Sequence, residues 1–175
     1  CDLLECKAFR ACGLMPEDPA LIRHQKGKPL DIIPTTCPSY PSDADESNSW
    51  IEDGFQKVFT DASVIEPTDK RLARGAFAAY DGPDHAANFV LVLGGDDQQS
   101  YFGELAGVVV VMERAIRATW IILDNLAIVH HAQAYIAKGG DVHLVRNQVA
   151  LPLWKRFMAA LRNKSQGFFR VQWMK

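Results

Sequence analysis

Three carboxylates stand out by what precedes them. Asp61 follows the apolar, β-branched run of "KVFTDASV" (Lys57 to Val64), and Asp124 closes the short apolar "WIILD" (Trp120 to Asp124). Glu104 lies in "SYFGELAG", one residue before Leu105, at the start of a long apolar segment. A carboxylate at the end of a core strand is costly unless it is paired or holds a metal. If the two strands lie side by side, Asp61 and Asp124 emerge at one edge of a sheet, and Glu104 can point along that edge. Three acids converging in a partly dry site repel one another and push up their own pKa values. Divalent cations relieve that conflict, and hard oxygen ligands suit Mg²⁺ or Mn²⁺. Two such ions serve the attacking and leaving oxygens of a phosphodiester. Each residue also has an ordinary alternative: a turn for Asp61, a first helical turn favoured by the dipole for Glu104, an N-cap for Asp124.

The elements that would have to position these side chains can be read from periodicity. "KVFTDAS", "RGAFAAYD" (Arg74 to Asp81) and "NFVLVLGG" (Asn88 to Gly95) read as three strands with short connections, an antiparallel meander. The period then changes. "SYFGELAGVVVVMERAIRAT" (Ser100 to Thr119) fits a helix buried on a wide face. "WIILD" reads as a central parallel strand. "NLAIVHHAQAYIAKGG" (Asn125 to Gly140) is a helix whose end is marked by Gly139-Gly140. "LPLWKRFMAALRNK" (Leu151 to Lys164) is another, with Pro152 tolerated in its first turn, and "GFFRVQWMK" (Gly167 to Lys175) a last strand. The order β-β-β-α-β-α-α-β predicts a mixed α/β sheet with at least one right-handed crossover. Such sheets place their sites at the carboxyl ends of strands.

Composition sets the outer limits. A chain of 175 residues holds one domain with a substantial core and an appendage. Its longest uncharged apolar run, "LAGVVVVM", falls far short of a membrane span, and no secretory signal pattern opens the chain. Residues 1–56, with the Pro-, Ser- and Asp-rich "PTTCPSYPSDADESNS" (Pro34 to Ser49), read as an N-terminal extension and linker joined to a domain over 57–175. The start at Cys1 rather than Met points to a fragment or processed product. All four cysteines, Cys1, Cys6, Cys12 and Cys37, fall in that extension at spacings matching no standard zinc pattern. Reduced thiols in a cytosolic or nuclear protein are the preferred reading over a metal site completed by His24. Net charge is −2, but residues 1–60 hold six Lys/Arg against ten Asp/Glu, whereas residues 136–175 hold eight against Asp141 alone. A basic carboxyl-terminal end permits a polyanion partner.

The segments "FTDAS", "YFGELAG", "IILDN", "LPLWKRFMAAL" and "FRVQWMK" together resemble the type 1 ribonuclease H family, including the ribonuclease H domains of reverse transcriptases. The resemblance covers about residues 57–175. It implies a ribonuclease H-like mixed sheet with flanking helices, and Asp61, Glu104 and Asp124 as three catalytic, metal-binding carboxylates holding two Mg²⁺ or Mn²⁺ ions. It further implies hydrolysis of the RNA strand of an RNA/DNA hybrid, leaving a 3′-hydroxyl and a 5′-phosphate, and an upstream reverse transcriptase module in a retroelement-type polyprotein. Ser63, Ser100, Tyr101 and Asn125 stand at positions that the resemblance assigns to substrate binding. The sequence departs from the family pattern in carrying Ala62 where Gly is usual, Asn125 where Ser is usual and Leu126 where a polar residue is usual. It also stops at Lys175, before the Gly-His loop and the final helix with the fourth carboxylate. That leaves apolar sheet surface for residues 1–56 or a partner chain to cover.

Most of the remaining chemistry-bearing residues read as structural or surface, and His85 and His143 show no partner in the sequence. His130 and His131 lie mid-helix, His85 and His143 in loops, and Trp120, Trp154 and Trp173 within apolar elements as core. Lys155, Arg156, Arg162 and Lys164 form the polar face of an amphipathic helix, with phosphate-backbone contact as the functional option. Two other functions stay open beside the nuclease: a catalytically impaired ribonuclease H-like fold kept as a nucleic-acid-binding or structural module, and a nuclease or transposase of the same superfamily acting on DNA.

Overall fold

The computed structural model describes residues 50–65, 73–94, 98–141, 143–144 and 148–175. Strands β1 (Ile51–Glu52), β2 (Phe55–Ile65), β3 (Arg74–Tyr80) and β4 (Phe89–Val92) precede helix α1 (Ser100–Arg114). Strand β5 (Thr119–Leu123), helices α2 (Leu126–Ala137) and α3 (Leu151–Arg162), and strand β6 (Phe169–Trp173) follow. The cysteines and His24 lie outside the described residues, as does the question of what residues 1–49 cover.

The sheet runs β4-β3-β2-β5-β6, with β1 paired to β2. β2, β3 and β4 form the expected antiparallel meander, and β5 and β6 are added in parallel. This is the mixed sheet that the order of elements predicts. β1 is an addition to it: Trp50 sets its ring edge-on against Phe59 at 5.3 Å and Tyr80 at 5.6 Å, so the chain joins the sheet from residue 50 onward.

One face of the sheet carries the helices. Thr60, Ala62 and Phe77 face α1, which also packs against α2 and α3. All residues of α1 from Phe102 to Met112 are buried. Its run Val108–Val111 has a poor intrinsic helix preference because branching at Cβ restricts χ1. Burial of each side chain contributes about 1.5–3 kcal/mol, which outweighs that preference. α3 buries Leu153, Trp154, Phe157, Met158 and Leu161 and exposes Lys155 and Arg162, as an amphipathic helix should.

Three expectations are corrected. α1 ends at Arg114, not Thr119, because the sheet captures the next backbone groups: Gln56 N donates to Ala118 O at 2.9 Å and Thr119 N to Phe168 O at 2.9 Å. Trp120 is only half-buried, since alternation along β5 turns it to the helix-free face, between Lys57 and Arg170. Trp173 is 38% exposed. Only Trp154 of the three lies in the core, fully buried. The helix-free face also bears Tyr80 and Val92, both exposed.

Several predicted surface groups prove to be fasteners. Arg156 makes a two-pronged ion pair with Glu113 of α1 at 2.8 and 2.7 Å. Lys164 Nζ donates to Ala115 O at 2.7 Å and so satisfies the end of α1. Arg162 donates to Gly140 O at 2.9 Å, holding the left-handed Gly139-Gly140 pair that terminates α2. Three of the four basic residues with phosphate contact as their functional option are thus engaged within the fold, and Lys155 is exposed. His85 is buried, its Nδ1 accepting from Ala87 N at 3.2 Å, while His130, His131 and His143 are exposed.

Candidate metal centre

Parallel register brings the two aspartates together. β2 and β5 are paired up to Phe59↔Ile122 and then diverge. Asp61 and Asp124 each lie two residues beyond that rung, where the two strands part; β5 has ended, whereas β2 continues to Ile65 alongside β3, so Asp61 does not end its strand as the sequence suggests. Glu104 enters the opening from α1. One carboxylate oxygen from each of Asp61, Glu104 and Asp124 lies within 4.8 Å of the others.

The close approach of α1 depends on its small residues. A Cβ on Gly103 would sit 2.7 Å from the Cβ of Ala62, closer than real Cβ contacts allow. The methyl of Ala62, where the resemblance leads one to expect glycine, is therefore accommodated by a glycine on the opposing helix. Gly107 meets Thr60 in the same way one turn later, where a Cβ would find Thr60 Cβ at 3.4 Å.

None of the three acids has the ordinary role open to it from the sequence. Asp61 lies inside β2 rather than at a turn, and its Oδ1 accepts from Ala62 N at 2.7 Å. Glu104 is the fifth residue of α1, beyond the first turn in which it was expected. The N-cap of α2 is Asn125, whose side chain accepts from Ile128 N at 3.3 Å, so Asp124 is not needed for that task.

The electrostatics are asymmetric. Asp61 and Asp124 are exposed, whereas Glu104 is 4% exposed and its Oε2 is buried with no hydrogen-bond partner. Burial is the main cause that pushes the Glu104 carboxyl up to about 8; the negative charges of Asp124 and then Asp61 add to it, and a hydrogen bond to Asp124 favours the neutral form further. A buried acid with an unsatisfied oxygen, next to two exposed acids, is a donor set suited to a hard divalent cation. A cation would replace the proton that otherwise makes the cluster tolerable. The residues present therefore fit Mg²⁺ or Mn²⁺.

The other sequence-derived site residues are not part of the carboxylate cluster. Ser63 is half-buried on β2, two residues past Asp61. Ser100 is exposed at the first position of α1. Tyr101 is half-buried, and its hydroxyl accepts from Trp154 Nε1 at 3.2 Å; burial raises its pKa, with Trp154 opposing and Tyr135 adding to the effect. Asn125 caps α2. Two participants were not legible in the sequence. Gly103 permits the helix–strand approach, and Trp173, read as core, instead donates from Nε1 to Asp124 O at 2.9 Å. An indole at the end of the last strand was the only available signal for the second.

The architecture is that of ribonuclease H domains. The chain aligns with a structure described as the foamy viral protease-reverse transcriptase in complex with dsDNA at TM-score 0.55 and 13% identity, covering 70% of this chain and 83% of that one. It aligns with the solution structure of the prototype foamy virus RNase H domain at TM-score 0.51 and 18% identity, over 68% of this chain and 78% of that one. A third match, the foamy viral protease-reverse transcriptase in complex with RNA/DNA hybrid, has TM-score 0.52 and 11% identity over 85% of this chain and 21% of that one. No sequence-family description and no curated protein matches the chain. Among the described residues, no helix is long and apolar enough to cross a membrane.

Proposed function

We propose that the chain is a metal-dependent endonuclease that hydrolyses the RNA strand of RNA/DNA hybrids. The observation that carries this reading is the convergence of Asp61, Glu104 and Asp124 within 4.8 Å where β2 and β5 part in a ribonuclease H-type sheet. These three residues would hold Mg²⁺ or Mn²⁺, two ions by the family resemblance, and the metal supplies charge stabilisation for an in-line displacement at a phosphodiester. Within the chain, the division of labour follows from burial. Glu104 anchors the donor set from the dry side, where its geometry is fixed by α1. Asp61 and Asp124 present their carboxylates on the solvent side, where a polymer backbone has access. Ser63, Ser100, Tyr101 and Asn125 are the candidate hybrid contacts by the family resemblance. The reading extends to an upstream reverse transcriptase module, a compact domain that takes in β1 and the whole of β2 and is preceded by a linker, and an intracellular, reducing setting.

Cleavage of an end-labelled RNA/DNA hybrid in Mg²⁺ and then Mn²⁺, beside Asp61→Asn, tests it. Cutting of the RNA strand alone, abolished by the substitution, is the expected result. Absence of cutting by this chain, and by a version extended past Lys175, would overturn it.

A catalytically impaired nucleic-acid-binding or structural module is the second reading. It is favoured by the engagement of the Tyr101 hydroxyl and the Asn125 side chain within the fold, and by the internal partners of Arg156, Arg162 and Lys164. Hybrid binding that persists where cleavage is absent in both metals would select it.

A further inference from the structure

Asp124 is the one acid of the cluster that lies outside every regular element, between the end of β5 and the start of α2. The direction of its Cα–Cβ bond, from which the carboxylate reaches out in one of a few side-chain rotamers, is set by the orientation of the two planar peptide groups on either side of its Cα. Both are held by the end of β6. The peptide before Asp124 is fixed at Leu123 O, which accepts from Met174 N at 2.9 Å. The peptide after it is fixed at Asp124 O, which accepts from the Trp173 indole Nε1 at 2.9 Å. The first of these bonds continues the parallel ladder beyond Leu123↔Trp173. The second comes from a side chain, at a ring that is 38% exposed and so has a modest packing role.

The holding strand is itself secured. Gln133 of α2 donates to Val171 O of β6 at 2.9 Å, and α2 begins at the Asn125 cap, one residue after Asp124. Hydrogen bonds thus close a circuit from Asp124 through Asn125, α2 and β6 back to Asp124. Trp173 is the link within it that acts on Asp124 directly.

We infer that Trp173 is a positioning residue for the metal centre: its indole N–H holds the Asp124 peptide so that the carboxylate stays within the donor set. This rests on the metal-site reading above. Removing a hydrogen-bonding partner that orients a metal ligand typically weakens metal affinity about 10- to 100-fold.

The test is Mn²⁺ binding by titration calorimetry to the full chain, with no turnover required. Trp173→Phe removes the N–H together with part of the ring. Replacement of Trp173 by 3-benzothienylalanine removes the N–H alone, with sulfur in its place and the ring shape kept. Both are expected to bind Mn²⁺ about ten-fold or more weakly, with thermal unfolding midpoints close to the parent's. Unchanged affinity in both, or a loss in Trp173→Phe that the benzothienyl analogue does not share, would refute the role of the hydrogen bond. Asp61→Asn serves as control. If the parent binds Mn²⁺ no better than Asp61→Asn, the metal-site reading fails and the inference with it. A difference between those two with no effect at position 173 sinks the inference alone.

Discussion

Glu104 makes the metal-free protein sensitive to alkali in a way that can be calculated. Its carboxyl is raised from 4.5 to about 8, mainly by burial and then by Asp124 and Asp61. The folded state therefore keeps a proton on Glu104 at pH values where the unfolded chain has released it. Stability is at its full value below about pH 4.5, declines as pH rises, and levels off above about pH 8. Moving an acid across that interval corresponds to a few thousand-fold in its protonation equilibrium, or about 5 kcal/mol at ~1.36 kcal/mol per tenfold. That figure is a ceiling. Asp61 and Asp124 are exposed, and water screens their share of the repulsion, so a fall of roughly 2–4 kcal/mol is expected. Glu104→Gln places a neutral side chain of the same shape there and removes this dependence. The assay is urea unfolding of both proteins in EDTA at pH 5, 7 and 9. The two should be similar at pH 5, and the glutamine variant more stable by roughly 2–4 kcal/mol at pH 9. Millimolar Mg²⁺ or Mn²⁺ should restore the parent at pH 9 and leave the variant little changed. A stability difference that stays constant across the three pH values would refute the account of a buried, charge-crowded Glu104.

Two further outcomes follow from the helix–strand contact beside the centre. Gly103→Ala sets a methyl 2.7 Å from the Ala62 methyl and should destabilise the protein by about 1–3 kcal/mol, with weaker Mn²⁺ binding because Glu104 is displaced. Gly103→Ala combined with Ala62→Gly should recover most of both losses, as measured by chemical denaturation and calorimetry. Thr60→Val replaces a hydroxyl that is buried with no hydrogen-bond partner, so it should be neutral or stabilising by about 1 kcal/mol in thermal unfolding.

The period of the apolar residues was enough to place the strands of the meander, the helix around Leu105 and Met112, and the amphipathic helix at Trp154. α1 illustrates how firmly: its four consecutive valines favour a strand by propensity, yet the spacing of its apolar residues reads as a helix and a helix is what forms. Local pattern also sufficed to single out Asp61 and Asp124, since a carboxylate after an apolar run carries its own anomaly, but not to show that β2 continues four residues past Asp61 to Ile65, paired there with β3. What local pattern could not supply was anything that depends on which segments become neighbours. The end of α1 is not legible locally because Ala118 and Thr119 are captured by Gln56 of β2 and by Phe168 just before β6, both far away in the chain. Trp120 and Trp173 look like core residues in the sequence because hydrophobicity does not reveal which face of a sheet lacks helices, or that an indole N–H will meet a distant carbonyl. Arg156, Arg162 and Lys164 look like a solvated basic face until Glu113, Ala115 and Gly140 come within reach. The residue types of the candidate site were thus determined by the sequence alone. Their approach to within 4.8 Å, the burial of Glu104 and the bond from Trp173 to Asp124 were decided by tertiary packing, because parallel register and helix–strand distance are set by contacts between segments remote in the chain.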